Sequence, residues 1–224
     1  MELTLKEKFV ILAYDPVKGH NLASNYIGFG IGGAILLELA GLKKISIEEK
    51  RIKLLDGHKT GDELLDQAIA IISDSSKPYK VKMLIAKIQR KPSRYKKPII
   101  NGLVKKRYLR EQRKRFLIFT YRRYPTANPG YRKDLVEYCR RLVLRKTESE
   151  PDIPLLIGLA GACRFSGKFF KTKEERKIAK TRIKEIVKES EIDKAIDETI
   201  QAIQAAVMAA VVTSAAVTAS TSQG

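Results

Sequence analysis

Two runs of this chain are apolar or small nearly all the way round: 154–165, and 202–219, whose eighteen residues carry no charge. A helix without a polar face is stable only when protein encloses it on every side. Alanine, Gln204, Thr213 and Ser214 supply too little transfer energy for the second run to span a membrane, so it reads as a helix buried in protein. These runs predict a mainly α fold: a single globular helical domain over 1–219 around a buried apolar helix drawn from 154–165 or 192–219, followed by a flexible tail at 220–224. At 224 residues and 44% hydrophobic, the chain is long enough to bury such a core, and its composition is that of a soluble globular protein.

The elements around that core follow from caps and periodicity. Thr4 with Glu7 three residues on forms a capping box ahead of an apolar helix that Asp15-Pro16 stops, and no secretory segment precedes it, so the mature chain is expected to begin at residue 1. The glycine run 28–33 precedes a helix at 34–39. Strands at 44–47 and 51–55 bracket the turn Glu48-Glu49-Lys50, and Thr60-Gly61-Asp62-Glu63 opens a periodic helix through Leu64, Leu65, Ala68, Ile69 and Ile72. Further helices are expected at 81–88, 131–144 and 172–188. A second hairpin is predicted within 108–121, with strands at 108–109 and 116–119 and the tip Arg113-Lys114-Arg115. The two hairpins read as one unit used twice, 39–54 resembling 103–118.

Charge is concentrated in one stretch. Residues 77–123 hold eighteen Lys and Arg against one acid, Glu111, which gives 18 − 1 = +17 of the chain total of +19. A partner must be anionic, either acidic lipid or nucleic acid. Within this stretch Arg90, Arg94, Lys96 and Lys97 flank Pro92 and Pro98 and are expected to form one anion site. Arg113, Lys114 and Arg115 add to it beside the apolar run Phe116, Leu117, Ile118 and Phe119. A half-buried strand needs only alternate apolar residues, so at least two of those four should face away from the core, either into a membrane or against a second copy of the chain.

The residues for catalysis are sparse. The two histidines, His20 and His58, have no metal-ligand spacing, Cys139 and Cys163 are not paired as C-x-x-C, and neither G-x-S-x-G nor a P-loop occurs. The chain is read as a non-enzyme with no cofactor and no metal site, and the cysteines as buried free thiols in a reducing compartment. Gly28-Phe29-Gly30-Ile31-Gly32-Gly33 satisfies G-x-G-x-x-G in form. A dinucleotide site, however, requires a buried strand before the first glycine, and 20–26 is polar and mixed, so the run is read as close helix packing.

The order of blocks resembles the Golgi phosphoprotein 3 family. The blocks are Leu3-Thr4-Leu5, Gly30 to Leu39 with Leu36-Leu37-Glu38-Leu39 at its end, Thr60-Gly61-Asp62-Glu63-Leu64-Leu65-Asp66, Leu103-Val104-Lys105-Lys106, and Arg122-Arg123-Tyr124-Pro125. The resemblance implies a helical, cytoplasmic, peripheral membrane protein that reads phosphatidylinositol 4-phosphate, at the cytosolic face of the Golgi in a eukaryote, where it retains glycosylation enzymes and serves vesicle trafficking. It also implies a lipid pocket built from a tryptophan, an arginine and two basic residues ahead of the second hairpin, with the hairpin tip dipping into the bilayer. In this chain, which has no tryptophan, those positions fall on Ala23, Gly32, Lys96, and Ser93 or, with a slip of one residue, Arg94. The match starts at residue 3, without the family's basic N-terminal extension.

Two functions are therefore expected to compete. The first is an adaptor on anionic membrane lipid, phosphoinositide or other acidic phospholipid, with cytosolic tails of membrane enzymes and a homo-oligomer as further partners. The second is a winged-helix nucleic-acid binder, since a helix followed by a basic hairpin is how a wing reads in sequence. Against it, the helix before the hairpin is short, apolar and interrupted by Pro98.

Overall fold

The computed structural model describes residues 2–145, 147, 150–189, 198 and 201–202. Among them are eight α-helices and two small antiparallel sheets around one contiguous apolar core. Helix α1 (Leu5–Ala13) lies at the centre with every residue buried, enclosed by α2 (Ile27–Gly41), α5 (Lys96–Lys105), α6 (Pro129–Arg145) and α7 (Asp152–Ala162). The Glu7 carboxylate accepts from the Thr4 amide at 3.2 Å, the backward bond of a capping box.

The burial of α1 includes its charges. Lys6 Nζ lies 2.6 Å from Glu38 of α2 and 2.7 Å from Asp62, Lys8 Nζ 2.7 Å from Asp152, and Lys106 Nζ 2.7 Å from Glu7. Among the described residues α1 and α2 hold the centre, the position expected for 154–165 or 192–219. Helix α7 is buried through Ile153, Leu156, Ile157, Leu159 and Ala160 but leaves Pro154 and Leu155 half-exposed. Most of 192–219 and all of 220–224 lie outside the described residues.

Helix α2 begins at Ile27 and incorporates the glycine run, which was expected to precede it. A Cβ on Gly30 would meet the Phe9 ring at 2.1 Å, and one on Gly32 would lie 3.2 Å from the Ile85 Cα of α4 (Val81–Gln89). The glycines let two neighbouring helices approach the α2 backbone, the packing role expected for them. A 3-10 turn, Ser24–Tyr26, stands before Gly28 where a dinucleotide fold needs a strand.

Strands β1 (Ile45–Glu48) and β2 (Arg51–Leu54) form the first hairpin, and β3 (Tyr79–Lys80) adds to β2. Its turn is the pair Glu49-Lys50, both with left-handed φ, which suits the right-handed twist of a two-residue hairpin. The Glu198 carboxylate accepts from both turn amides, at 3.0 and 2.5 Å. Helix α3 (Glu63–Ser73) is capped by the Asp62 carboxylate, which accepts from Leu64 and Leu65 N–H. In α5, Pro98 occupies the first turn, where a backbone N–H has no intrahelical partner anyway, so it does not interrupt the helix as expected.

The second hairpin departs from its expected boundaries. Its strands are β4 (Gln112–Phe116) and β5 (Phe119–Arg123), paired in register from Gln112 with Arg123 to Phe116 with Phe119. Arg113, Lys114 and Arg115 are therefore strand residues, and the tip is Leu117-Ile118, with Leu117 at φ +53°. Tyr108 and Leu109 were expected in a strand of this hairpin. Instead Leu109 is buried and bridges to Thr126, a pairing that ties the segment to the core. Leu109 aligns with Ile45 in the internal repeat, so both helices run into hairpins but the two hairpins are not in the same register.

Helix α8 (Lys173–Glu189) docks on α6 and α7. Arg140 joins it to α6 by two bonds to the Glu175 carboxylate, 2.9 and 3.0 Å, and by one to the Phe169 carbonyl at 2.9 Å. Cys139 and Cys163 are buried free thiols, pushed up to about 12 by desolvation.

Arg140 and the Lys171 amide hold the Glu175 carboxyl down to about 2 from 4.5. A folded-state pKa below the unfolded one contributes stability above the unfolded value, and that contribution is lost as pH falls through the folded one. Glu175→Gln is therefore expected to lower the thermal midpoint by a constant amount above pH 4.5, with the gap to wild type closing between 4.5 and about 2. A gap independent of pH across that window would show that the α6–α8 pairing does not depend on this ionisation.

Candidate functional site

Helices α2 and α5 start beside one another. Where they do, a cavity of about 230 Å³ is lined by Ser24, Asn25 and Gln89, by Pro92, Tyr95 and Lys96 of the α4–α5 linker and first turn of α5, and by the apolar Ile27, Ile31 and Ile88. The first amides of a helix lack intrahelical acceptors and carry the positive end of its dipole. Tyr26, the residue preceding α2, contributes no side-chain cap. A cation, the start of a fifteen-residue helix and a small polar mouth together suit an anionic group of phosphate size.

The linker sorts the four basic residues expected to act together. Lys96 is half-buried in this cavity. Arg94, two residues earlier, turns to α3, where its Nε donates to Gln67 Oε1 at 2.6 Å, and it lines a different, larger cavity. Arg90 is exposed at the end of α4, and Lys97 is exposed in the first turn of α5.

Ala23 is buried beside Ser24, and Gly32 lies in the contact between α2 and α4. An arginine at 32, which the resemblance would call for, has no room unless α4 moves away from α2. The cavity residues that sequence reasoning missed are Ser24, Asn25 and Gln89. Recognising that the glycine run is helical back to Ile27 would have pointed to the first two.

About 15 Å of α5 separates Lys96 from the approach to the second hairpin. Residues 113–115 and 117–122 are exposed, and β4 and β5 pair only with each other. Leu117, Ile118 and Phe119 are 75%, 81% and 67% exposed, while the Phe116 side chain lies outside the described residues. Glu111 is 3.6 Å from Arg113 and 3.4 Å from Arg122 at the base, leaving Lys114 and Arg115 without an acid nearer the tip. The arrangement is an apolar point on a cationic stem. No helix among the described residues is long and apolar enough to cross a membrane.

A model of the Golgi phosphoprotein 3 family (GPP34) matches residues 5–206. The chain belongs to that family. Among curated relatives of this family member, vacuolar protein sorting-associated protein 74 of Eremothecium gossypii is 25% identical over 177 residues, which is 67% of this chain and 54% of the relative. The protein of the same name from Schizosaccharomyces pombe is 25% identical over 154 residues, 59% of this chain and 46% of the relative. This family member thus spans about half the length of the curated relatives it matches.

Proposed function

We propose that the protein is a non-catalytic peripheral membrane adaptor that binds anionic phospholipid and helps to retain or sort membrane enzymes. The hairpin supplies most of its membrane affinity. The observation that carries this reading is the exposed tip Leu117-Ile118-Phe119 on a stem holding Arg113, Lys114, Arg115, Arg122 and Arg123. Each basic residue near an acidic surface is worth about 1 kcal/mol, and full burial of one large apolar side chain about 1.5–3 kcal/mol. A tip inserted part-way therefore adds to the headgroup attraction without a specific inositide contact. The Lys96 cavity is a second, smaller contributor that takes one phosphate. The family and the sorting role in its relatives' names support the adaptor part of this reading.

Nucleic acid is the competing anion, and the apolar tip favours lipid over it. Flotation with phosphatidylcholine vesicles containing phosphatidylserine, with and without phosphatidylinositol 4-phosphate, tests the reading beside RNA and DNA shift assays at matched salt. Leu117→Ser with Ile118→Ser is expected to weaken vesicle binding about tenfold with an unchanged sedimentation coefficient. Lys96→Glu should weaken it only a few-fold, chiefly when the phosphoinositide is present. Vesicle binding indifferent to the tip, or an oligomer that dissociates while binding per chain is retained, would overturn the proposal.

A further inference from the structure

Tyr95 lines a second cavity, of about 620 Å³, besides the one that holds Lys96. The walls of this cavity differ in sign. One wall is a face of α3 with Glu63, Asp66 and Asp74, of which Asp66 is committed to the amide and hydroxyl of Thr60, both at 2.7 Å, and Glu63 accepts from Gln67; Lys59 also lines the cavity. Across from it stand Lys87 of α4 and Lys91 and Arg94 of the linker.

Among the described residues no ion pair closes between these walls. The contact that does cross is a relay of neutral and charged groups: Gln67 Nε2 donates to Glu63 at 2.9 Å, and Gln67 Oε1 accepts from Arg94 Nε at 2.6 Å. The relay orients the guanidinium and leaves its terminal nitrogens without a hydrogen-bond partner among the described residues. Tyr95 is 1% exposed, and its hydroxyl has no hydrogen-bond partner among the described residues.

We propose that this cavity binds a small zwitterion carrying a phosphate and a primary ammonium, with the phosphate on Lys87, Lys91 and Arg94 and the ammonium on Glu63 or Asp74. A plain anion would satisfy one wall and meet repulsion from the other. A quaternary ammonium matches the charge but has no N–H to give a carboxylate. Phosphoethanolamine is the simplest molecule with both features, and it occurs both free and as a lipid headgroup.

The site is tested in solution, apart from the membrane reading, by titrating the full chain with phosphoethanolamine, phosphocholine and inorganic phosphate and following heat or amide chemical shifts. Phosphoethanolamine is expected to bind at least about fivefold tighter than the other two. Lys87→Gln with Lys91→Gln should abolish binding of all three. Glu63→Gln with Asp74→Asn should bring phosphoethanolamine down to the level of phosphate, with each variant's melting transition recorded to show that it is folded. Equal binding of the three ligands to the wild-type chain, or a preference that survives the acid-wall variant, overturns the proposal. Vesicles of phosphatidylcholine with and without phosphatidylethanolamine, free of acidic lipid, identify the source. Recruitment by the ethanolamine lipid points to the headgroup, and soluble binding without recruitment points to the free zwitterion. The tip variant Leu117→Ser with Ile118→Ser should leave the solution titration unchanged.

Discussion

Lys6→Ala is expected to destabilise the protein by about 3–5 kcal/mol, the range for removing one partner of a buried ion pair. The Lys6 and Glu38 side chains are 4% and 12% exposed, and Lys6 also reaches Asp62, so one ammonium serves carboxylates from two further segments. Burial dominates the Glu38 carboxyl and raises its pKa against the pull of Lys6, while the two carboxylates raise that of Lys6 against its own burial. A carboxyl whose folded pKa is raised favours the fold in its protonated form, a contribution present at low pH and lost as pH rises. With Lys6 gone, Glu38 has still less reason to ionise, so the loss should be largest at neutral pH and shrink as the solution is acidified. Urea unfolding at two pH values measures this. A loss under about 1 kcal/mol at neutral pH would mean that the pair behaves as a surface contact. Replacing Lys6 by Met together with Glu38 by Leu should recover part of the loss, because removing both charges removes both desolvation penalties.

Gly30→Ala is expected to be destabilising by about 3 kcal/mol, although alanine in a helix interior is ordinarily favoured over glycine by about 1 kcal/mol. The added methyl would lie 2.1 Å from the Phe9 Cζ. Phe9 is fully buried, and the edge of its ring packs against Phe165 with centroids 5.7 Å apart, so the ring has no free space to enter. The steric term therefore outweighs propensity. Phe9→Leu vacates the contested volume, and a double-mutant cycle should return a favourable coupling of about 1 kcal/mol or more. Gly41, with nothing within 4 Å of its built Cβ, is the control: alanine there should be neutral or mildly stabilising. If both glycines respond alike, the contact between α1 and α2 is looser than the geometry shows.

The sequence was most legible where local chemistry and burial agree. The capping box at Thr4, the Asp62 cap and the period of α3 set their helices within a residue or two, and the first hairpin differs from its expected bounds by one residue at each end. The second hairpin was misread because four apolar residues in a row ordinarily signal a strand against a core. Here Leu117 and Ile118 form a turn that no part of the described structure covers. Lys6 and Lys8 were invisible as core residues, since nothing in Leu5-Lys6-Glu7-Lys8-Phe9 tells that Glu38, Asp62 and Asp152 will come to meet them. Lys96 is singled out by the resemblance, and it lines the cavity where α2 and α5 start. The turn of Arg94 toward Gln67 was not, because side-chain direction at the end of a linker depends on how two helices finally pack.

The enclosure of α1 also sets an order of events during synthesis. Among the described residues, the helices that cover it are all encoded later, and Lys8 meets Asp152 only after 144 more residues. At about 5–20 residues per second the ribosome needs roughly 7–30 s to supply that distance. For that interval Phe9-Val10-Ile11-Leu12-Ala13 is a nascent apolar segment without its full cover, of the composition that seeks strand partners in other chains. The charges just ahead of it, Lys6, Glu7 and Lys8, interrupt such pairing. The residues that later form buried ion pairs thus act first as gatekeepers on the emerging chain.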